Sequence, residues 1–390
     1  MDEVRVGMIG YKFMGKAHSN GWVRVSQFFD PGVRVVLRAV CGRDAAAARG
    51  FADRWGWESV ETDWRRMVAR PDIDVVDIAT PNNEHAVMAI TAARQGKHIL
   101  CEKPLAMNLT QAKAMLQAAR KAKVKTMVGY NYRSVPAVQL ARQLVTEGRI
   151  GRVYHVRATF LQSWIINPDF PFVWRLDAKV AGSGSHGDLN AHIIDATRFI
   201  TGDEPVEVCA HMETFIKERP AGGVMGGGLN ATGAKAKKRA RVTVDDAVIA
   251  LARFSKGAIA TYEATRFAAG HKNDMGFEIN GSKGSIKFAF ERMNELNVYL
   301  ESDPGHIQGF RNVLVTEPGA HKYIDAWWPP GHVIGYEQSF VHQALEFVKG
   351  VKGNRPLSPD FLDSTRNQAV LEAMSESARR HRWVRVARIS

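Results

Sequence analysis

Cysteine is scarce in this sequence. Only Cys41, Cys101 and Cys209 occur among 390 residues, far apart and without metal-ligand spacing. That scarcity argues against a disulfide framework and a cysteine-bound metal, and it points to a reducing compartment. Long apolar runs are also missing, since none reaches the ~18 residues that a membrane span requires. The N-terminal stretch Met1-Asp2-Glu3-Val4-Arg5 carries no signal-peptide pattern, so a cytoplasmic chain without a membrane partner is expected. Internal repeats are absent. Acidic residues are the minority, 40 against 53 lysines and arginines, for a net charge of +13. The bases are dispersed, and only 235–241 is dense. Nothing matches a groove-reading or base-stacking module, so no nucleic acid is expected as a partner. The positive field suits an anionic cofactor or a sugar phosphate instead.

What remains describes a soluble enzyme. Hydrophobic residues make up 45% and charged residues 24%, and 390 residues are too many for one compact core. Two domains are expected, and the pattern shows where they divide. Strand signals at 4–10, 33–40, 73–79, 98–101 and 126–129 alternate with helical stretches at 16–29, 45–55, 63–70, 84–95 and 110–121. Such alternation builds a parallel sheet with right-handed crossovers. Beyond Tyr130, and after a helix at 136–147, strands at 153–161, 206–215, 247–254, 258–266, 277–280, 285–290 and 295–301 are joined by hairpin-like turns. Helices at 192–200 and 337–349 accompany them. A largely antiparallel open sheet needs a cover, and a second copy of the chain can supply it, giving a homo-oligomer (dimer or tetramer). The glycine-rich, basic-ended segment 217–241 reads either as a surface loop or as a substrate lid.

The first strand runs into Gly7-Met8-Ile9-Gly10-Tyr11-Lys12-Phe13-Met14-Gly15, a near match to the dinucleotide fingerprint of a Rossmann unit. Gly10 suits the tight turn and Gly15 the close packing of helix on strand, while Lys12 stands where glycine normally lets the backbone approach a pyrophosphate. Lys12, Phe13 and Met14 complete the candidate phosphate turn. After the second strand comes Cys41-Gly42-Arg43-Asp44. Gly42 occupies the place of the acid that would hold a ribose 2′-hydroxyl, and Arg43 can pair with a 2′-phosphate. The cofactor is thus NAD or NADP, with a lean to NADP; Asp44 either turns inward or caps the next helix.

Ile99-Leu100-Cys101-Glu102-Lys103-Pro104 is the most telling stretch. A lysine at the carboxyl end of a parallel strand lies where doubly wound sheets hold their ligands, and Pro104 stiffens the turn that aims it. Further on, Asp188 and His192 are four residues apart and share one face of a helical turn. Such a pair is common on surface helices, but downstream of Lys103 it reads as catalytic. An imidazole can act as general base towards a hydroxyl, and Asp188 can orient either group. Lys103 can stabilise the alkoxide that develops.

Together these residues resemble the Gfo/Idh/MocA family of sugar and cyclitol oxidoreductases, over nearly the whole chain. The family's nicotinamide-bordering segment reads here as Ala79-Thr80-Pro81-Asn82 with His85. Its second-domain signature, Gly-x-x-x-Asp-x-Gly-x-His-x-x-Asp, reads from Gly184 to Asp195, with Asn190 in place of the second glycine. The resemblance implies an α/β Rossmann domain at 1–129 and an α+β domain at 130–390. That second domain carries a large, mostly antiparallel open sheet that binds substrate and mediates oligomerisation. It implies hydride exchange between NAD(P) and a secondary hydroxyl or ketone of a sugar, anhydrosugar or cyclitol, with Lys103, Asp188 and His192 catalytic and no metal. Thr80, Pro81, Asn82, His85, Glu102 and Lys103 join Gly10, Gly15 and Arg43 around the cofactor. Tyr132, Arg133, Gln162, Trp164, Trp174 and Arg175 are candidate substrate contacts beside Lys103, Asp188 and His192, each with a core role as its alternative. Aromatic and planar polar groups suit a pyranose. Two other activities occur among relatives and stay open: a redox-neutral NAD-dependent glycosidase and a non-catalytic dinucleotide-sensing regulator.

Overall fold

The computed structural model describes residues 2–222, 224–225, 232–233 and 238–390. The chain divides into two compact units, Met1–Asn131 with Tyr336–Gln368 and Ser390, and Tyr132–Gly335 with Ala369–Ile389. Residues 336–368, expected in the second domain, group with the first unit instead.

The first unit alternates strand and helix. Its elements are β1 (Glu3–Ile9), α1 (Phe13–Phe28), β2 (Arg34–Cys41), α2 (Ala45–Trp55), β3 (Ser59–Glu61), α3 (Trp64–Ala69), β4 (Val75–Ile78), α4 (Asn82–Arg94), β5 (His98–Cys101), α5 (Leu109–Ala122) and β6 (Thr126–Val128). All six strands are parallel, in the order β3-β2-β1-β4-β5-β6. The order reverses between β1 and β4, and ligands of such sheets bind outside the carboxyl ends of the strands at that point. Burial on both faces explains the continuous apolar runs: Val4, Val6, Met8, Val75, Val76 and Ile78 have no accessible surface. Asp77 breaks the run as a fully buried acid inside β4. A late helix, Tyr336–Lys352 (α9 in chain order), packs on α1, with the rings of Trp22 and Phe347 edge to face at 6.1 Å.

The second unit continues with α6 (Pro136–Thr146), β7 (Val153–Leu161), α7 (Ala178–Ala181), α8 (Ala191–Thr201), β8 (Pro205–Glu213), β9 (Glu218–Pro220), β10 (Val224–Met225), β11 (Thr232–Gly233), β12 (Arg239–Arg241), β13 (Ala247–Phe254), β14 (Ile259–Thr265), β15 (Asp274–Gly281), β16 (Gly284–Ala289), β17 (Glu295–Leu300), β18 (Arg311–Leu314) and β19 (Val384–Arg385). Nine strands form one sheet in the order β18-β17-β16-β15-β7-β14-β13-β8-β19. Only β14 and β7 pair in parallel; the other neighbours are antiparallel. Helices α6 and α8 cover one face. On the other face Ile249, Leu251 and Ile259 are 59%, 48% and 56% exposed, while Val248, Ala250 and Ala252 of the same β13 strand are buried. The ends of segment 217–241 pair as β9 with β12, and β10 pairs with β11. Residues 223, 226–231 and 234–237, on which the choice between loop and lid depends, lie outside the described residues.

A twenty-residue helix, α10 (Phe361–Arg380), had no counterpart in the sequence reading. Its first part belongs to the first unit and its remainder to the second. Ahead of α8, where the sequence suggested a simple start near residue 192, one π turn runs over His186–Asn190. Such turns are rare and recur at functional sites.

Candidate active site

The dinucleotide turn is built as the glycines require. Gly10 has φ +103°, and a Cβ there would lie 2.4 Å from the Ala79 carbonyl oxygen. A Cβ on Gly15 would lie 2.2 Å from the Gly10 carbonyl oxygen, so α1 can approach β1 only with glycine at 15. Helix α1 begins directly after Lys12, and no side chain caps it. Its first-turn amides therefore face outward, and a helix N-terminus of this kind favours a phosphate. Lys12 and Phe13 are exposed and Met14 is half-buried beside it. Arg43 is exposed after β2, whereas Asp44 caps α2, accepting from the Ala47 amide at 3.0 Å. The Tyr11 ring lies against Gly42, and no acid takes the ribose position at the end of β2. These residues fit a nicotinamide dinucleotide.

At the end of β4, Thr80, Pro81 and Asn82 are half-buried and lead into α4, with Pro81 at the N-cap. His85 departs from expectation. It has no accessible surface, and its ring lies between the carbonyls of Pro104 (3.0 Å) and Thr80 (3.1 Å). Burial pushes its pKa down, against the pull of those carbonyls. His85 therefore ties the Thr80 and Pro104 turns together and is not a cofactor contact. Glu102, also expected at the cofactor, is turned inward and 4% exposed. Its Oε1 accepts from His18 Nε2 at 2.9 Å and its Oε2 from the Lys103 amide at 3.2 Å. His18 Nδ1 donates to Asp77 at 2.8 Å, and Trp22 Nε1 donates to the same carboxylate at 2.7 Å. Lys103 itself is half-buried, and its bond to Pro104 is cis.

In the second unit the π turn presents Asp188 as its one half-buried member, between buried Gly187 and Leu189. Asp245 secures the start of this turn, accepting from the Gly184 amide, the Ser185 hydroxyl and the His186 amide, each at 2.7 Å. Arg266, 1% exposed, donates to Asp188 Oδ2 at 2.8 Å and to the Gly184 carbonyl at 3.2 Å. Asn190 fills the place of the family's glycine. Its Nδ2 donates to His186 Nδ1 at 3.1 Å, and His186 Nε2 donates to the Leu371 carbonyl at 2.9 Å, so α10 anchors the turn. His192 is 6% exposed, and Tyr132 packs against it edge-on with ring centroids 4.7 Å apart.

Asn273 then links two expected contacts, donating to the Tyr132 hydroxyl at 3.1 Å and accepting from Gln162 Nε2 at 2.7 Å. Trp164 lies 5.2 Å beneath the Arg266 guanidinium, and the Arg175 guanidinium lies 4.4 Å over Trp174. Arg219, with no accessible surface, clamps the Trp164 segment through the carbonyls of Ile165 and Asn167 at 2.5 and 2.7 Å. Arg133 corrects the sequence reading. Its guanidinium is 5% exposed and bidentate on Asp195, with Nε at 2.6 Å, so it braces α8 and is not a substrate contact. His332 is exposed, and Tyr336 packs on Phe340 in the first unit. Sequence reasoning missed the roles of His18, Asp77, Asp245 and Arg266, because each acts on residues far away in the chain. Buried polar side chains inside apolar runs, such as Asp77 in β4, were the one signal available.

A doubly wound sheet with an uncapped, glycine-built helix N-terminus defines a protein of the dinucleotide-binding class. Residues 4–130 match "Oxidoreductase family, NAD-binding Rossmann fold" and residues 138–287 match "GFO/IDH/MocA C-terminal domain". The chain belongs to the Gfo/Idh/MocA family. It is 42% identical to a levoglucosan dehydrogenase of Pseudarthrobacter phenanthrenivorans over the whole of both chains. An inositol 2-dehydrogenase of Rhizobium meliloti is 27% identical, over 98% of this chain and 99% of its own. Among solved structures, an oxidoreductase domain protein from Kribbella flavida matches with TM-score 0.95 at 47% identity, over all of both chains. A levoglucosan dehydrogenase in complex with NADH and L-sorbose matches with TM-score 0.93 at 40% identity, again over all of both.

Proposed function

We propose that this chain is an NAD-dependent dehydrogenase of a pyranose anhydrosugar of the levoglucosan type, oxidising one secondary hydroxyl or reducing the matching ketone. The observation that carries the reading lies in the second unit. Trp164 Nε1 and Gln162 Oε1 are buried polar atoms without a protein partner; Trp164 lies under the Arg266 guanidinium that holds Asp188, and Gln162 is linked through Asn273 to Tyr132, which packs on His192. Buried polar atoms are nearly always hydrogen-bonded, and an unpartnered donor and acceptor among aromatic side chains match the hydroxyls and apolar face of a sugar ring. Full-length likeness to a levoglucosan dehydrogenase supports the same substrate class.

A bound dinucleotide supplies the hydride acceptor. Gly10, Gly15 and the first turn of α1 would hold its phosphates, and Thr80, Pro81 and Asn82 would border its nicotinamide. His192 takes the hydroxyl proton as general base. Asp188, kept as a carboxylate by Arg266, orients that hydroxyl or the imidazole. The Lys103 ammonium can stabilise an oxygen that gains negative charge, and Lys103 is proposed as a catalytic residue together with Asp188 and His192. NAD is proposed over NADP because the levoglucosan dehydrogenase structures of 40% identity hold NADH, while the case for NADP rests on Arg43 and on Gly42 in place of an acid. The open sheet face with Ile249, Leu251 and Ile259 is the proposed contact between copies of the chain, and the cytoplasm the proposed compartment.

The test is to follow reduced-nicotinamide absorbance with NAD or NADP and a panel of sugars, cyclitols and anhydrosugars. A steady rise with NAD and an anhydrosugar is expected. A rise with cyclitols alone would overturn the substrate class.

A further inference from the structure

Beneath the Lys103 turn lies a buried ionic chain that the proposed reaction does not use. Both ring nitrogens of His18 face carboxylates, Nδ1 at 2.8 Å from Asp77 and Nε2 at 2.9 Å from Glu102. Carboxylates only accept, so both nitrogens must carry a proton, and His18 is an imidazolium. All three side chains are almost entirely buried. Three charges are costly to bury, and such a group is retained where it fixes a geometry that apolar packing would leave loose. What it fixes is visible at its far end. Glu102 has one oxygen on His18 and the other on the backbone amide of Lys103. Asp77 belongs to β4, Glu102 follows β5, and His18 comes from α1, so the chain ties two strand ends and a helix to one amide.

Trp22 Nε1 on Asp77 sets the other end, and Phe340 of α9 closes over the imidazole with ring centroids 5.6 Å apart. The imidazolium is therefore held at both ring nitrogens and on one side by Phe340. Rotation of His18 would release the Glu102 carboxylate, and with it the hydrogen bond that fixes the Lys103 backbone.

We propose that His18 is a positioning residue for Lys103, acting through Glu102 to hold the lysine at the height and angle its chemistry requires. The inference rests on the role proposed for Lys103. Displacing a reacting group by about 1 Å can cost roughly 100-fold in rate. His18→Gln keeps an amide donor for Glu102 but loses the charge and the second donor to Asp77.

A double-mutant cycle tests this, with single-turnover reduction of NAD by levoglucosan measured with enzyme in excess. His18→Gln should lower the rate about 10- to 100-fold while NAD affinity, read by fluorescence titration, moves less than about threefold. In a Lys103→Ala background the same substitution should add almost nothing, because a residue acting through Lys103 has nothing left to position. An undiminished second loss in that background would overturn the proposal, as would an unchanged rate in the single variant. If Lys103→Ala alone retained full turnover, the role of Lys103 would fall, which is a separate result. Should His18→Gln fail to fold, Glu102→Gln replaces it. That variant keeps an acceptor for the Lys103 amide and should show a smaller loss that likewise vanishes without Lys103.

Discussion

Mild alkali should weaken this fold through one residue. His18 has its pKa raised to about 10 in the folded chain: burial alone would lower it, but the charges and hydrogen bonds of Asp77 and Glu102 outweigh burial. An unfolded histidine titrates near ~6.5. Between the two values the folded chain keeps a proton that the unfolded chain has released. The site's stabilisation is therefore complete below about 6.5 and is lost as pH rises towards about 10, at about 1.4 kcal/mol per pH unit. From pH 7 to 8.5 that amounts to about 2 kcal/mol. Other buried groups act mostly outside this window. Burial pushes His85, His98 and His186 down and His321 down to about 4, so their contributions rise with pH and level off above the ordinary histidine range. Burial pushes the Cys41 thiol up to about 12, which matters only once unfolded thiols ionise. The assay is urea denaturation of the wild type and His18→Gln at several pH values across that window. The wild type should lose about 2 kcal/mol more than the variant. Parallel profiles would refute the imidazolium assignment.

Three other outcomes follow from the same geometry. Lys103→Ala should cut kcat by roughly 100-fold or more while leaving dinucleotide affinity nearly intact; near-normal turnover would remove its role. Arg43→Ala should weaken NADP binding more than NAD binding in paired titrations, because only NADP offers a 2′-phosphate to the guanidinium; equal losses would contradict this. Arg266→Met should lower kcat/KM roughly 10- to 100-fold, since Asp188 loses a charge-assisted bond of about 1.5–3 kcal/mol. Its partly exposed carboxylate keeps some hydration, so the protein should still fold, as circular dichroism would show.

How legible the fold was depended on how local its signals were. Five of the six parallel strands announced themselves as apolar runs, whereas the short, half-buried β3 did not, and α2, β5, β7 and β13 lie at the residues the pattern marked. Helix α10 stayed hidden because between Phe361 and Ala369 its buried positions are polar, Ser364, Thr365, Asn367 and Gln368, with Asn367 donating to the Tyr130 hydroxyl at 2.9 Å. A face buried through polar residues gives no hydrophobic period to read. Helix α1 began three residues early for a related reason, as Lys12 offers no capping side chain. At the site, the turn built on Gly10 and Gly15 was readable, whereas Glu102, expected at the cofactor, faces His18. The distant partners were not readable, because Arg266 reaches Asp188 across 78 residues and His18 reaches Glu102 across 84. Arg133 looked like a ligand contact since nothing in sequence tells a buried ion pair from an open guanidinium.

The most direct test of the account is isotopic. The protein is incubated with NAD and levoglucosan deuterated at every carbon, and the reduced dinucleotide is weighed by mass spectrometry. NADH carrying one deuterium, formed in step with a ketone derived from the sugar, is the expected product. Sugar consumed with no labelled NADH, or no reaction with dinucleotide bound, would contradict it.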